Sequence, residues 1–304
     1  MTQGQFPEES NAEGAFERQE DAFRAIISET PGATHPVAAG RYHLYVSLAC
    51  PWAHRTVIAR RLMGLETAIG MTVVDPIRDD RGWVFREGSG HGLDPVEGFS
   101  FLSEAYQLSN PAFKGRVTVP VLWDKEARRI VNNNEDDICL MFNGPLRSLG
   151  HGQIDWFPKA HAEEQAELST LIYETVNNGV YQAGFATTQA AYEQAFTALF
   201  ETLDRLEAGL AGRRFLLGDE PVESDWRLFC TLLRFDAVYH GHFKCNRRHI
   251  ADYPRLQRHL EALYQSPGIA ATVNMDHIKR HYYVTHDDIN PTGIVPLGPA
   301  LDWL

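Results

Sequence analysis

Residues 42–62 constrain the fold more than any other part of the chain. There an apolar and aromatic segment runs straight into a cysteine, a proline and a helical pattern. Tyr42-His43-Leu44-Tyr45-Val46-Ser47 is rich in aromatic and branched residues and reads as a strand. Beyond Cys50-Pro51, residues Val57, Ile58, Arg61 and Leu62 fall near helical spacing, with Gly64 as the stop. Proline suits the first helical position, where an N–H would have no intrahelical partner. A thiol at a helix start lies where the dipole and the free backbone N–H groups favour its thiolate. The pattern predicts one activated sulfur presented at the end of a sheet.

The rest of the chain divides into an α/β part and a helical part. Residues 1–40 read as an irregular arm, with Phe16, Phe23, Ile26 and Ile27 placed to pin a short helix onto the body. Residues 41–145 give strand, helix and a second strand over Ile69 to Val74. The stretch 75–116 is too long for an ordinary connection and marks an inserted, functional loop. A strand is predicted over 117–123 despite Pro120, which belongs at an edge or a special turn where a cis bond is accommodated. Arg129-Ile130-Val131 is its short partner, and a helix follows over Asp136 to Phe142.

Residues 155–304 read as an all-helical domain, joined to the first around 144–160. Its apolar stripes are Leu168 to Val176, Phe196 to Leu210, Trp226 to Leu233 and Leu256 to Leu263. The tail after Tyr283 is rich in Pro and Gly and is expected to lie extended on the surface.

Composition removes several classes of function. The 28 Lys and Arg against 40 Asp and Glu leave a formal net charge of -12, which opposes nonspecific nucleic-acid binding. No run approaches the ~18 apolar residues of a membrane span, and the first forty residues lack the pattern of a secretory signal. The expected compartment is the cytoplasm. Cys50, Cys139, Cys230 and Cys245 share no close spacing, so neither a metal site nor a disulfide framework is expected. Cys139 and Cys230 lie in apolar helical contexts and read as small buried hydrophobes.

The βαβ–ββα order, with a cysteine at the first helix and a proline before the third strand, resembles a thioredoxin-like fold. With the helical part behind it, the chain resembles a glutathione transferase. Longer motifs narrow the resemblance: Ala49-Cys50-Pro51-Trp52-Ala53-His54-Arg55, Gly82-Trp83, Arg116-Val117-Thr118-Val119-Pro120, Asn177-Asn178-Gly179-Val180-Tyr181, Gly241-His242-Phe243-Lys244-Cys245-Asn246 and Asp276-His277-Ile278-Lys279-Arg280-His281-Tyr282-Tyr283. These are similar to the glutathionyl-hydroquinone reductases, the Xi class of glutathione transferases, over nearly the whole chain from Phe16.

The resemblance implies a thioredoxin-like α/β domain followed by an all-α domain, a homodimer, and glutathione or a related low-molecular-weight thiol as co-substrate. It makes Cys50 the nucleophile that attacks the sulfur of a quinol conjugate. Ala53 occupies the position where a Cys-x-x-Cys pair would place a resolving thiol, so an outside thiol must resolve the mixed disulfide. Val119 before Pro120 would offer backbone hydrogen bonds to the cysteinyl part of the thiol, and Trp83 would pack on it, simple core packing being its alternative. Tyr181 and Tyr282 match the tyrosines that line the quinol pocket and assist the departing group, with Tyr283 the adjacent alternative. His54 reads as a packing residue.

One departure stands out. Where the family reads Asn-Asn-Glu-Ser-Ser-Glu, this chain has Asn132-Asn133-Asn134-Glu135-Asp136-Asp137. Asn134 and Glu135 therefore stand in the places of the Glu-Ser pair that holds the γ-glutamyl end of glutathione. A serine hydroxyl both donates and accepts, whereas a carboxylate only accepts, and the added charge repels the ligand's α-carboxylate. Weaker use of glutathione, a different low-molecular-weight thiol or loss of reductase activity are the expected outcomes. A smaller departure is Val222, where a Thr or Ser cap is expected at ~1 kcal/mol of local stability. The alternatives to a quinol-conjugate reductase are an omega-like thioltransferase or dehydroascorbate-type reductase, and a non-catalytic binder of aromatic ligands.

Overall fold

The computed structural model describes residues 9–152, 154–301 and 303. They divide into two compact units, one holding 19–152, 154 and 271–287, the other 9–18, 155–270, 288–301 and 303.

The first unit is built on a four-stranded sheet of order β2-β1-β3-β4, from β1 (Tyr42–Val46), β2 (Gly70–Val73), β3 (Val121–Asp124) and β4 (Arg129–Asn132). β1 runs parallel to β2 and antiparallel to β3, and β3 is antiparallel to β4. A parallel pair needs a crossover connection, which α1 (Pro51–Leu62) supplies. Every residue of β1 is buried, as befits the interior strand that carries the chain to Cys50. α1 ends as the sequence predicts: Gly64 takes the left-handed backbone, with φ of 64°, that closes a helix C-terminus. α3 (Glu135–Asn143) packs on α1.

Three expectations need correction. The strand forecast over 117–123 begins only at Val121, because Pro120, in a cis bond with Val119, has no N–H to give a ladder. The long insertion is not loop throughout: α2 (Leu102–Ser109) lies within it and packs on β4. This helix buries Leu102, Ala105 and Tyr106 at helical spacing, too short a stripe to stand out in sequence. The arm forms no α-helix in its described part. It is extended and pairs along β4, with the Ala25 N–H donating to Val131 O at 3.0 Å and the Asn133 N–H to Phe23 O at 3.0 Å. Adjacent residues of an extended chain face opposite ways, so Ile27 is buried and Ile26 exposed.

The second unit holds α4 (Ala162–Ile172), α5 (Gly179–Gly184), α6 (Gln189–Gly209), α7 (Glu223–Arg234) and α8 (Pro254–Tyr264). Single π-helical turns extend α4 and α7. α7 is buried along its whole length, so its charges are matched internally. Glu223 pairs with Arg227 at 3.1 Å and Asp225 with His259 at 2.7 Å. Val222 brings no cap hydroxyl, yet the Asp225 carboxylate accepts from the Val222 N–H at 2.9 Å and the Leu216 N–H at 2.8 Å. Gly184 is required by packing, since a Cβ there would stand 2.3 Å from the Phe243 ring.

The division also differs from the sequence boundaries at α9 (Met275–Thr285), which groups with the α/β unit rather than with the helices of 155–304. Polar bonds hold it and the turn before it there: Thr272 of that turn meets His54 Nε2 at 2.8 Å, and from α9 His277 meets Ser89 O at 2.7 Å and His281 meets Pro76 O at 2.7 Å. His54 is thus a buried packing residue. The described tail beyond 286 has no helix or strand, and Leu297 is fully exposed. No described helix is long and apolar enough to cross a membrane.

Candidate active site

Cys50 is the N-cap residue of α1, reached from the buried β1 through a short turn and held in extended conformation by the proline that follows. Its side chain makes no capping bond to the helix and is partly exposed. The thiol instead lies 3.6 Å from the Val119 carbonyl, which stands just before cis Pro120. β1–α1 and the entry to β3 therefore bring Cys50, Val119 and Pro120 together, although 69 residues separate the first two in sequence. Cys139, Cys230 and Cys245 are buried, and burial pushes the Cys245 thiol well above its ordinary range.

Asn134 and Glu135 occupy the start of α3. Asn134 is its N-cap: Oδ1 accepts the Asp137 N–H at 3.0 Å, while Nδ2 donates to Asp21 of the arm at 2.7 Å. Both ends of this amide are thus engaged by protein. Glu135 is the first helical residue, 8% exposed, and its carboxyl lies 3.1 Å from the buried guanidinium of Arg55. Asp136 reaches the same guanidinium at 2.5 Å. Burial, reinforced by the neighbouring Asp136 charge and opposed by Arg55, pushes Glu135 up to about 7. A network joins this end of the helix to the proline loop, since Asn133 Nδ2 donates to Thr118 Oγ1 at 3.2 Å.

The aromatic candidates fall in two places. Trp83 is 5% exposed, with its ring stacked on His281 of α9 at 5.1 Å and the Arg78 guanidinium 5.8 Å from its centre. Tyr282 is 1% exposed and meets the His286 ring at 5.5 Å, while its neighbour Tyr283 is half-buried, with a phenol raised by burial. Tyr181 belongs to the helical unit, on α5, amid Phe185, Tyr239 and Phe243 at ring distances of 5.4 to 6.1 Å. Elsewhere in that unit an open groove of about 840 Å³ is floored by Leu168, Leu171, Leu206 and Leu216, and none of the candidate residues lines it.

Arg55, Asp21 and Thr118 complete the surroundings of α3 and escape sequence reasoning. Arg55 follows Cys50 within the same motif, and its burial could be inferred only once a buried carboxylate was known to face it. Among the described residues no cluster of three or more His, Cys, Asp or Glu side chains is arranged to hold a metal ion.

Comparison with known proteins shows the family. Residues 49–143 match the glutathione S-transferase N-terminal domain and residues 189–262 the glutathione S-transferase C-terminal domain. The glutathionyl-hydroquinone reductase PcpF of Sphingobium chlorophenolicum is 47% identical over 94% of this chain and 90% of its own. The glutathionyl-hydroquinone reductase YqjG of Escherichia coli is 48% identical over 95% and 90%. Its glutathione-bound structure superposes with a TM-score of 0.89 at 47% identity over 93% of this chain and 94% of that one. The glutathione transferase Xi of Phanerochaete chrysosporium superposes with a TM-score of 0.94, at 44% identity over 97% and 96%. With a thioredoxin-like unit carrying Cys50, a separate helical unit and likeness over nearly its full length, the chain belongs to the Xi class of glutathione transferases, the glutathionyl-hydroquinone reductase family.

Proposed function

We propose that this enzyme removes a thiol group from S-conjugated hydroquinones, with Cys50 as nucleophile. The observation that carries the reading is Cys50 itself: a partly exposed residue at the positive end of α1, with its sulfur beside the Val119 carbonyl. The Cys50 thiolate attacks the conjugate's sulfur. An S–S bond forms as the S–C bond breaks, and the released electron pair passes to the quinol ring, which takes up a proton. Cys50 is oxidised to a mixed disulfide while the conjugate is reduced to free hydroquinone. A second thiolate then attacks the mixed disulfide, restores Cys50 and departs as a disulfide. Tyr181 and Tyr282 would hold the quinol oxygens and supply or take the proton there, as the family resemblance implies.

The family supplies glutathione as the thiol. The backbone around Val119 and cis Pro120 suits its cysteinyl part. The start of α3 does not suit its γ-glutamyl end, because Glu135 and Asp136 put two carboxylates where a hydroxyl is expected. The reading therefore assigns weak use of glutathione and preference for a low-molecular-weight thiol without a carboxylate at that end. A homodimer is taken from the family, and a cytoplasmic setting fits a reaction consuming reduced thiol.

Turnover of glutathionyl-hydroquinone against a simple mixed disulfide separates this reading from an omega-like thioltransferase. Incubating the enzyme with several small thiols and weighing the Cys50 adduct identifies the thiol. Adduct formation with glutathione at micromolar levels removes the altered-thiol part, and full reductase activity in Cys50→Ser removes the whole mechanism.

A further inference from the structure

We propose that Arg18 is a positioning residue for Tyr181, holding its ring and favouring negative charge on its phenol oxygen. The inference rests on the role given above to Tyr181 and lies wholly within the helical unit, to which residues 9–18 belong.

Three contacts carry it. The Arg18 guanidinium carbon stands 5.0 Å from the centre of the Tyr181 ring and 5.3 Å from that of Phe16. Its Nε donates to Asn178 Oδ1 at 3.1 Å. Asn178 in turn ties to Tyr181 through the backbone, its carbonyl accepting the Tyr181 N–H at 2.9 Å. One side chain from the arm is therefore anchored at the residue that begins α5 while its charge lies over the aromatic ring of that helix's functional candidate.

The surroundings make the charge count. Tyr181 is almost fully buried and Phe16 more so, with Phe185 bridging them: its ring lies 5.5 Å from Phe16 and 6.1 Å from Tyr181. A cation over an aromatic face away from water interacts more strongly than one at the surface. It also favours the anionic form of that ring over the neutral one, since an opposite charge nearby stabilises ionisation. A phenol that donates its proton as charge develops on a quinol oxygen gains from this at the transition state more than in the ground state. Rate is then affected more than binding.

The test uses the full chain with glutathionyl-hydroquinone and cysteinyl-hydroquinone as conjugates, and four variants: Arg18→Gln, Arg18→Lys, Tyr181→Phe and the Arg18→Gln/Tyr181→Phe double. Arg18→Gln is expected to lower kcat about five- to thirty-fold, the size of a desolvated cation–π contact, with KM for the conjugate within about twofold. Arg18→Lys restores most of that rate, and the double variant is no slower than Tyr181→Phe alone. An undiminished kcat, a change confined to KM, or an equal further loss in the Tyr181→Phe background overturns the proposal. Wild-type rate in Tyr181→Phe overturns the assignment of Tyr181 itself, whatever Arg18→Gln shows. Should Arg18→Gln fail to fold, Asn178→Ala removes the anchor instead; a fall in kcat that vanishes in the Tyr181→Phe background supports the role, and no fall overturns it.

Discussion

Glu135 and Arg55 stand 3.1 Å apart where α3 begins, and Asp136 approaches the same guanidinium at 2.5 Å, so one buried cation answers two carboxylates. Burial, with the Asp136 charge adding to it and Arg55 opposing it, raises the Glu135 carboxyl from 4.5 to about 7. A carboxyl raised in the fold favours folding while it is neutral. That contribution is complete below about pH 4.5 and is lost as pH climbs through about 7. Glu135→Gln should therefore flatten the decline of stability across this window, as read by urea unfolding at pH 5 and pH 8 on the order of the limits just given.

The same group should govern thiol use. Glu135→Ser restores a hydroxyl donor and removes the negative charge that Glu135 carries above about pH 7, where the family holds the γ-glutamyl end. We expect the KM for glutathione to fall roughly fivefold, about 1 kcal/mol, with kcat little changed. Steady-state kinetics at fixed conjugate measures it, and an unchanged KM would show that Glu135 does not face the thiol.

Cys50→Ser should cost more than about a thousandfold in turnover, because a hydroxyl is a far weaker nucleophile and cannot form the mixed disulfide. The thermal midpoint should move little, since the Cys50 side chain makes no capping bond. Intact mass after thiol treatment should show an adduct in the parent chain and none in the variant.

Asp225→Ala should destabilise the helical unit by about 2–4 kcal/mol. The carboxylate accepts two backbone N–H groups and pairs with His259 at 2.7 Å, all out of water. Urea unfolding followed by Trp226 fluorescence reads the loss, and the alkylation rate of Cys50, in the other unit, should be unchanged.

Gly184→Ala tests packing around Tyr181, because its Cβ would stand 2.3 Å from the Phe243 ring. A loss of about 1–3 kcal/mol is expected from that overpacking, measured as a lower unfolding midpoint.

Much of the architecture was legible along the chain because local signals agreed. The β1-Cys50-Pro51-α1 unit, the stop at Gly64 and the four long apolar stripes each combine periodicity with a boundary residue. Where the local signal was thin, reading failed. α2 offers three buried residues in eight, and the arm's Ile26 and Ile27 fit a helix as readily as an extended edge. The place of α9 rests on His54, His277 and His281 meeting partners up to 218 residues away, which no periodicity reports.

By itself the sequence determined that one cysteine begins a helix after a strand, that no second thiol is spaced to resolve it, and that Asn134 and Glu135 stand at a later helix start where the resembling family has Glu-Ser. Those are properties of neighbours along the chain, where dipole, capping and spacing act over a single turn. The tertiary structure alone decided what surrounds them: the Val119 carbonyl beside Cys50, Asp21 on Asn134, Arg55 against Glu135, and Arg18 over Tyr181. Burial sets the strength of each of those contacts, and burial exists only once distant segments have packed together.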